Sequence, residues 1–138
     1  MTVPPTVFVD TGAWIALALT RDPHHDAAVA SWDALEGQGA KLATSVPVVL
    51  ETFTFLERTT SRATAIRWKD ELGVLPRLRI LECTRSDLAA CWRWFQRDDL
   101  HKLSAVDATS FAIMTRERIR VAFTFDHHFL VVGFRAVG

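Results

Sequence analysis

Four acidic residues stand where the sequence could do chemistry. Asp10 directly follows the apolar run Val7-Phe8-Val9, and Asp126 directly follows Phe123-Thr124-Phe125. Asp107 closes Ser104-Ala105-Val106-Asp107, at the head of an apolar helical stretch. Glu51 interrupts the apolar sequence between Val46 and Leu56, where a carboxylate is costly without a partner. Each has a plain structural reading by itself. Asp10 and Asp126 could close turns, Asp107 could cap its helix, and Glu51 could pair with a buried Arg. Brought together, the four would repel one another, and such a cluster persists only if a cation neutralises it or some members keep a proton. All-oxygen ligation suits Mg²⁺ or Mn²⁺ rather than Zn²⁺. A hard divalent ion so held can polarise a phosphodiester and turn a water into a nucleophile.

The elements around these residues predict that they do meet. Strands are expected at Thr6–Val9, Lys41–Thr44, Leu78–Cys83 and Val121–Phe125, with a short edge strand at Phe134–Val137. Helices are expected from Thr11 through Leu19, after Asp22-Pro23 to about Gln38, and from Ser45/Pro47 to about Arg58. Further helices are expected over Ser61–Leu72, over Ser86–Arg97, and from the capping sequence Ser104-x-x-Asp107 to about Arg118. Strands alternating with helices predict an α/β fold, a parallel sheet with helices on both faces. Ligands in such sheets bind outside the carboxyl ends of the strands. Asp10 and Asp126 sit at two such ends, while Asp107 and Glu51 sit near the starts of helices that begin at the same rim.

Length and composition fit this. The chain of 138 residues is the size of one domain, residues 1–138, and at 49% hydrophobic and 23% charged it is globular in composition. No apolar run approaches the ~18 residues of a membrane span. No basic segment precedes an apolar stretch at the N-terminus, so a reducing, cytoplasmic setting is expected. Cys83 and Cys91 make no disulfide framework. The net charge of zero, from 16 basic and 16 acidic residues, removes the simplest argument for nucleic-acid binding, a strongly basic domain. It leaves room for an acidic site offset by a basic rim.

Other residues are weaker signals. The pairs His24-His25 and His127-His128 lack the three or four convergent ligands of a zinc site, although His127 or His128 could flank the acids and touch substrate. Trp14, Trp32, Trp68, Trp92 and Trp94 are expected in the core or an oligomer interface rather than as base-stacking platforms. Neither a nucleophile-elbow motif around Ser104 or Ser110 nor a Gly-rich phosphate loop occurs.

The string Phe8-Val9-Asp10-Thr11-Gly12-Ala13-Trp14, followed by Asp22-Pro23-His24-His25, resembles the opening of a PIN-domain protein. Glu51 in Val49-Leu50-Glu51-Thr52-Phe53 resembles that family's second acidic motif. Leu103 to Ala112 is similar to its third, and Thr124-Phe125-Asp126-His127-His128-Phe129 to its fourth. Length and spacing most resemble the VapC-type toxins of bacterial toxin–antitoxin pairs. The resemblance implies a three-layer α/β/α domain and a Mg²⁺-dependent endoribonuclease whose metal-binding acids are Asp10, Glu51, Asp107 and Asp126. It implies that Thr11 and Thr124 support those carboxylates. It also implies a homodimer and a cognate antitoxin that reaches into the active-site groove. The aromatic run after Glu51 departs from the usual pattern. A phosphoacceptor receiver domain would need a Lys closing a late strand, and Lys41, Lys69 and Lys102 close none. The alternative that remains is a non-catalytic scaffold of the same fold that binds RNA or protein.

Overall fold

The computed structural model describes residues 4–138. The chain alternates strands and helices as the sequence predicts. β1 (Val7–Val9) leads into α1 (Thr11–Ala18) and α2 (His25–Gly37), and β2 (Leu42–Ser45) into α3 (Val46–Thr59) and α4 (Arg62–Gly73). β3 (Leu78–Leu81) is followed by α5 (Arg85–Cys91), a 3₁₀ turn (Trp92–Gln96) and α6 (Ala105–Arg116). β4 (Val121–Phe123), α7 (His128–Val131) and β5 (Arg135–Val137) complete the described elements. The sheet has five strands in the order β3-β2-β1-β4-β5, every pairing parallel. Helices cover it in a three-layer α/β/α arrangement.

The order decides where a site can form. The chain moves outward from β1 to β2 to β3, then returns to lay β4 on the free side of β1. That reversal opens a crevice between the carboxyl ends of β1 and β4, the topological switch point at which open parallel sheets bind ligands. β1 and β4 run in step, Val7 beside Val121 and Val9 beside Phe123, so Asp10 leaves its strand level with Thr124. The Asp10 N–H still donates to the Phe123 carbonyl, at 3.0 Å. The inner strands are apolar on both faces, with Val7, Phe8, Val9, Ala122 and Phe123 all buried, which is why they read as continuous apolar runs.

Polar links fix the layers. Trp14 of α1 donates its indole N–H to Thr44 of β2 at 3.1 Å, and the Thr44 hydroxyl donates to the Val9 carbonyl of β1 at 2.9 Å. Trp32 and Trp68 pack against the same Trp14 ring. On the far side, Arg116 at the end of α6 donates to buried Asp87 of α5 and to the Glu82 carbonyl. Gly39, at φ +66°, turns the chain from α2 towards β2, a conformation that suits glycine.

Several boundaries differ from the sequence expectation. α2 begins at His25 rather than at Pro23, because the Asp22 side chain accepts from the His24 N–H and makes a turn first. α5 starts at Arg85, one residue earlier than expected. Thr84 caps it by accepting from the Asp87 N–H, while the Asp87 carboxylate accepts from the Thr84 N–H. The helix then tightens into the 3₁₀ turn after Cys91. This sends Trp94 into the core against Phe111 and leaves Trp92 and Phe95 half exposed, so the aromatic run here is only partly core. β4 ends at Phe123, not Phe125, and the short α7 was not expected.

Candidate active site

All four predicted acids lie on one open cleft of about 500 Å³ at the switch point. Asp10, Glu51, Asp107 and Asp126 line it with Thr11, Gly12, Ile15, Ser104, Phe125 and His127. Each acid arrives on a different element. Asp10 ends β1 and stands at the N-cap position of α1, yet its side chain makes no capping bond. Glu51 sits in the second turn of α3, on the same side as the buried stripe Val48, Thr52 and Leu56, and is half-buried. Asp107 lies in the first turn of α6, and Asp126 follows β4.

Local hydrogen bonds set the carboxylates' directions. The Thr124 hydroxyl donates to Asp10 Oδ2 at 3.0 Å and accepts from the Asp126 N–H at 3.0 Å, so one side chain positions both strand-end acids. Ser104 accepts from the Asp107 N–H at 3.0 Å. The reciprocal half of a capping box, present at Thr84/Asp87, is not formed at Ser104, which leaves the Asp107 carboxylate turned to the cleft. Asp126 makes the turn its strand-end position suggested, accepting from the His128 N–H at 2.9 Å. The buried His128 ring then stands against it. Nε2 donates to the His101 carbonyl at 2.9 Å, which braces the loop before α6 against the Asp126 turn.

The electrostatics are those of a site short of positive charge. Burial pushes the Asp10 carboxyl from 3.8 up to about 7. The hydrogen bonds from Thr124 and Thr11 oppose the rise, and the charges of Asp126 and Glu51 add to it. Burial, then the charges of Asp10 and Asp126, push Asp107 up to about 8. Among the described residues, no Lys or Arg lies within ion-pair distance of these four acids, and Glu51 has no Arg partner. Asp10 Oδ1 is buried and accepts no hydrogen bond. A buried carboxylate oxygen left unpaired costs about 1–3 kcal/mol, more when charged. An orphaned oxygen, two carboxyls whose pKa burial and then neighbouring acids raise, and an all-oxygen donor set together fit a hard divalent cation.

Of the accessory residues, Thr11 departs from expectation and the histidine pair divides. The Thr11 hydroxyl is buried without a partner, so of the two threonines only Thr124 donates its hydroxyl to Asp10. His127 is exposed and lines the cleft, whereas His128 is buried behind Asp126. Asp126, His127 and His128 offer ligand atoms within 4.8 Å of one another. The contacts of His128 to Asp126 and His101 leave too few free ligands there for a closed zinc site.

The sequence matches the model of the PIN domain over residues 7–135. The chain belongs to the PIN-domain family. It is 33% identical over 128 residues to the 23S rRNA-specific endonuclease VapC20 of Mycobacterium tuberculosis, covering 93% of this chain and 95% of that protein. The crystal structure of VapC20, described as a sarcin–ricin loop cleaving toxin, superimposes with a TM-score of 0.82 at 32% identity, covering 93% and 95% of the two chains. VapBC2 of Rickettsia felis, bound to a promoter DNA fragment, gives 0.71 at 13% identity over 95% of this chain and 96% of that one. FitAcB of Neisseria gonorrhoeae gives 0.69 at 17% identity over 96% of each chain. These last two share the fold. Nucleases of the PIN family generally use a divalent metal ion, which agrees with the donor set of this PIN domain.

Two contributions in this PIN domain lay outside the sequence reading. The brace from His128 to the His101 carbonyl joins residues far apart in sequence through a backbone oxygen, and no sequence signal marks it. The placing of Phe125 on the cleft wall could have been suspected from its position between Thr124 and Asp126.

Proposed function

We propose that this chain is a metal-dependent endoribonuclease, the toxin of a type II toxin–antitoxin pair, hydrolysing RNA phosphodiesters by metal-activated water. The observation that carries the reading is the convergence of Asp10, Glu51, Asp107 and Asp126 on one cleft, in a chain one-third identical to an rRNA endonuclease. That relationship sets aside the non-catalytic scaffold.

Asp10, Asp107 and Asp126 would hold the ion, and Glu51 would bind it or orient the attacking water. Mg²⁺ is the expected ion, with Mn²⁺ able to replace it. Bound there, a divalent cation polarises the phosphodiester and lowers the pKa of a water. The chain's own part is to present ionised carboxylates in a fixed array. Thr124 holds Asp10 and Asp126 in one geometry, and the His128 brace keeps the Asp126 turn against the α6 entry. Asp10 and Asp107, raised to about 7 and 8, would have to give up any proton they hold to ligate a cation there.

Residues 1–138 act as one nuclease unit in the cytoplasm, where the RNA is. Two apolar surfaces support protein partners. Val46, Leu50 and Phe55 are exposed on α3, around a groove of about 660 Å³ that reaches Glu51, and support a homodimer contact. A groove of about 330 Å³ lined by Trp14, Trp32, Trp68 and Leu75 offers a second apolar surface, and the antitoxin itself would reach into the acid cleft. Relatives of this fold whose structures are VapBC complexes agree with an antitoxin partner.

Brief expression in bacteria followed by mapping of RNA ends tests the activity. New 5′ ends at discrete positions, absent with Asp126→Asn, are expected. RNA ends identical in parent and variant would refute it.

A further inference from the structure

The Asp22-Pro23-His24-His25 segment has no part in the acid cluster, yet the structure ties it down firmly. The Asp22 side chain accepts from the His24 N–H at 2.8 Å, and the Asp22 carbonyl accepts from the His25 N–H at 3.0 Å. His25 Nδ1 donates to the Ala16 carbonyl at 2.7 Å, and the His24 carbonyl accepts from the Ala28 N–H at 2.8 Å. These bonds fix the His24 backbone at the entry to α2. Its ring lies flat on Phe125, with centroids 4.3 Å apart and planes within 8°. Phe125 in turn packs edge-to-face with fully buried Phe123, centroids 6.1 Å apart and planes at 65°. Phe125 also lines the acid cleft beside Asp10 and Asp126. His24 itself is exposed, and among the described residues no hydrogen bond engages its ring nitrogens. A column of rings therefore rises from the core, passes the carboxylates and ends in an imidazole open to solvent.

We propose that His24, stacked on Phe125, is a substrate-binding residue: a platform on which the base of a nucleotide next to the scissile phosphate stacks. The inference rests on the ribonuclease reading and adds a base-binding residue to it. The chemistry favours a base over other ligands. A flat ring at the end of a rigid stack offers a π-face, and every nucleobase has one. RNA loops present unstacked bases that proteins hold in this way. The imidazole edge can also hydrogen-bond to a base or ribose, which a phenyl ring cannot. The platform further explains how a chain of zero net charge holds RNA beside an acidic cleft, because stacking needs no excess of cations.

The test begins with the parent protein and Mg²⁺ on total bacterial RNA, which locates the cleavage site. Short RNAs of that site are then made intact and with an abasic residue at each position in turn. KM and kcat are measured for the parent, His24→Ala, His24→Phe and His24→Leu. His24→Ala is expected to raise KM roughly five-fold or more, the loss of one base–aromatic stack. His24→Phe should restore most of it, and His24→Leu, which fills the space without a π-face, should not. One abasic position should cost the parent a similar factor and cost His24→Ala nothing further. Unchanged KM in His24→Ala, or equal losses from every abasic position in both proteins, would overturn the platform and leave the nuclease standing. If His24→Ala fails to fold, the Phe–Leu pair decides on the same criterion. A parent that cuts no RNA overturns the ribonuclease reading, and the platform with it.

Discussion

Neutralising Asp10 should stabilise the metal-free protein, by an amount that depends on pH. In the folded chain the Asp10 carboxyl titrates near 7 instead of 3.8, chiefly because it is buried. The folded state therefore keeps a proton that the unfolded state gives up. Below about pH 4 both states are protonated and there is no penalty. As pH rises towards 7 and beyond, ionising Asp10 costs the folded state about three decades in proton affinity, ~4 kcal/mol. Asn carries no charge and keeps an oxygen to accept from Thr124. Because Asp107, Asp126 and Glu51 share the repulsion, the expected gain for Asp10→Asn at pH 8.5 is roughly 2–4 kcal/mol. That corresponds to a rise in Tm on the order of 10 °C for a domain of this size. At pH 5, still above the unfolded pKa, the gap should shrink to less than half of that. Adding Mg²⁺ at pH 8.5 should raise the Tm of the parent more than that of the variant, because the parent binds the ion more tightly. Thermal melts in EDTA at the two pH values supply the assay. An Asp10→Asn protein that melts at or below the parent at pH 8.5, or a gap of equal size at pH 5, would refute the reasoning.

Other outcomes follow from single contacts. Thr124→Val removes the hydroxyl shared by Asp10 and Asp126, so Mn²⁺ affinity measured by calorimetry should fall about 10- to 100-fold with the fold retained. Undiminished affinity would contradict the positioning role. Arg116→Ala leaves Asp87 buried with only its Thr84 contacts. Burial pushes the Asp87 carboxyl up, but hydrogen bonds from Arg116 and Thr84 outweigh it and hold it below the ordinary value. The loss should be about 2 kcal/mol at pH 7 by denaturant titration and should shrink as pH falls through the carboxylate range. Cleavage per folded molecule should not change, since Arg116 lies roughly 13 Å along α6 from Asp107. Leu50→Glu places a charge on the exposed face of α3 and should convert a dimeric parent into a monomer by light scattering. A dimer of unchanged mass would move the contact elsewhere, and a monomeric parent would end the homodimer proposal.

The parts of this protein most legible in sequence are those governed by local pattern. Val7-Phe8-Val9 and Val121-Ala122-Phe123 read as buried strands because both their faces are covered, and an Asp soon after such a strand in an α/β chain falls on the ligand-binding rim. Glu51 stood out because an acid in so apolar a helix needs a reason. What the pattern could not give is set by packing between distant segments. α7 has four residues and forms where the Asp126 side chain turns the chain, so no periodicity announces it. The true start of α5 depends on Thr84 and Asp87 bonding reciprocally, a capping box with Asp in the place of Glu. The same sequence pattern at Ser104 and Asp107 forms only half the box, because there the carboxylate faces Asp10 and Asp126. The division of the histidine pair, His127 in the cleft and His128 behind it, follows from the His101 carbonyl.

The most direct test of the central claim is RNA cleavage by the purified protein in Mg²⁺, in excess EDTA, and in Mg²⁺ with Asp126→Asn. The account predicts cuts at discrete positions in the first condition, none in EDTA with recovery when Mg²⁺ is restored, and none from the folded variant. Cleavage by the parent that persists in EDTA, or full activity in Asp126→Asn, would contradict it.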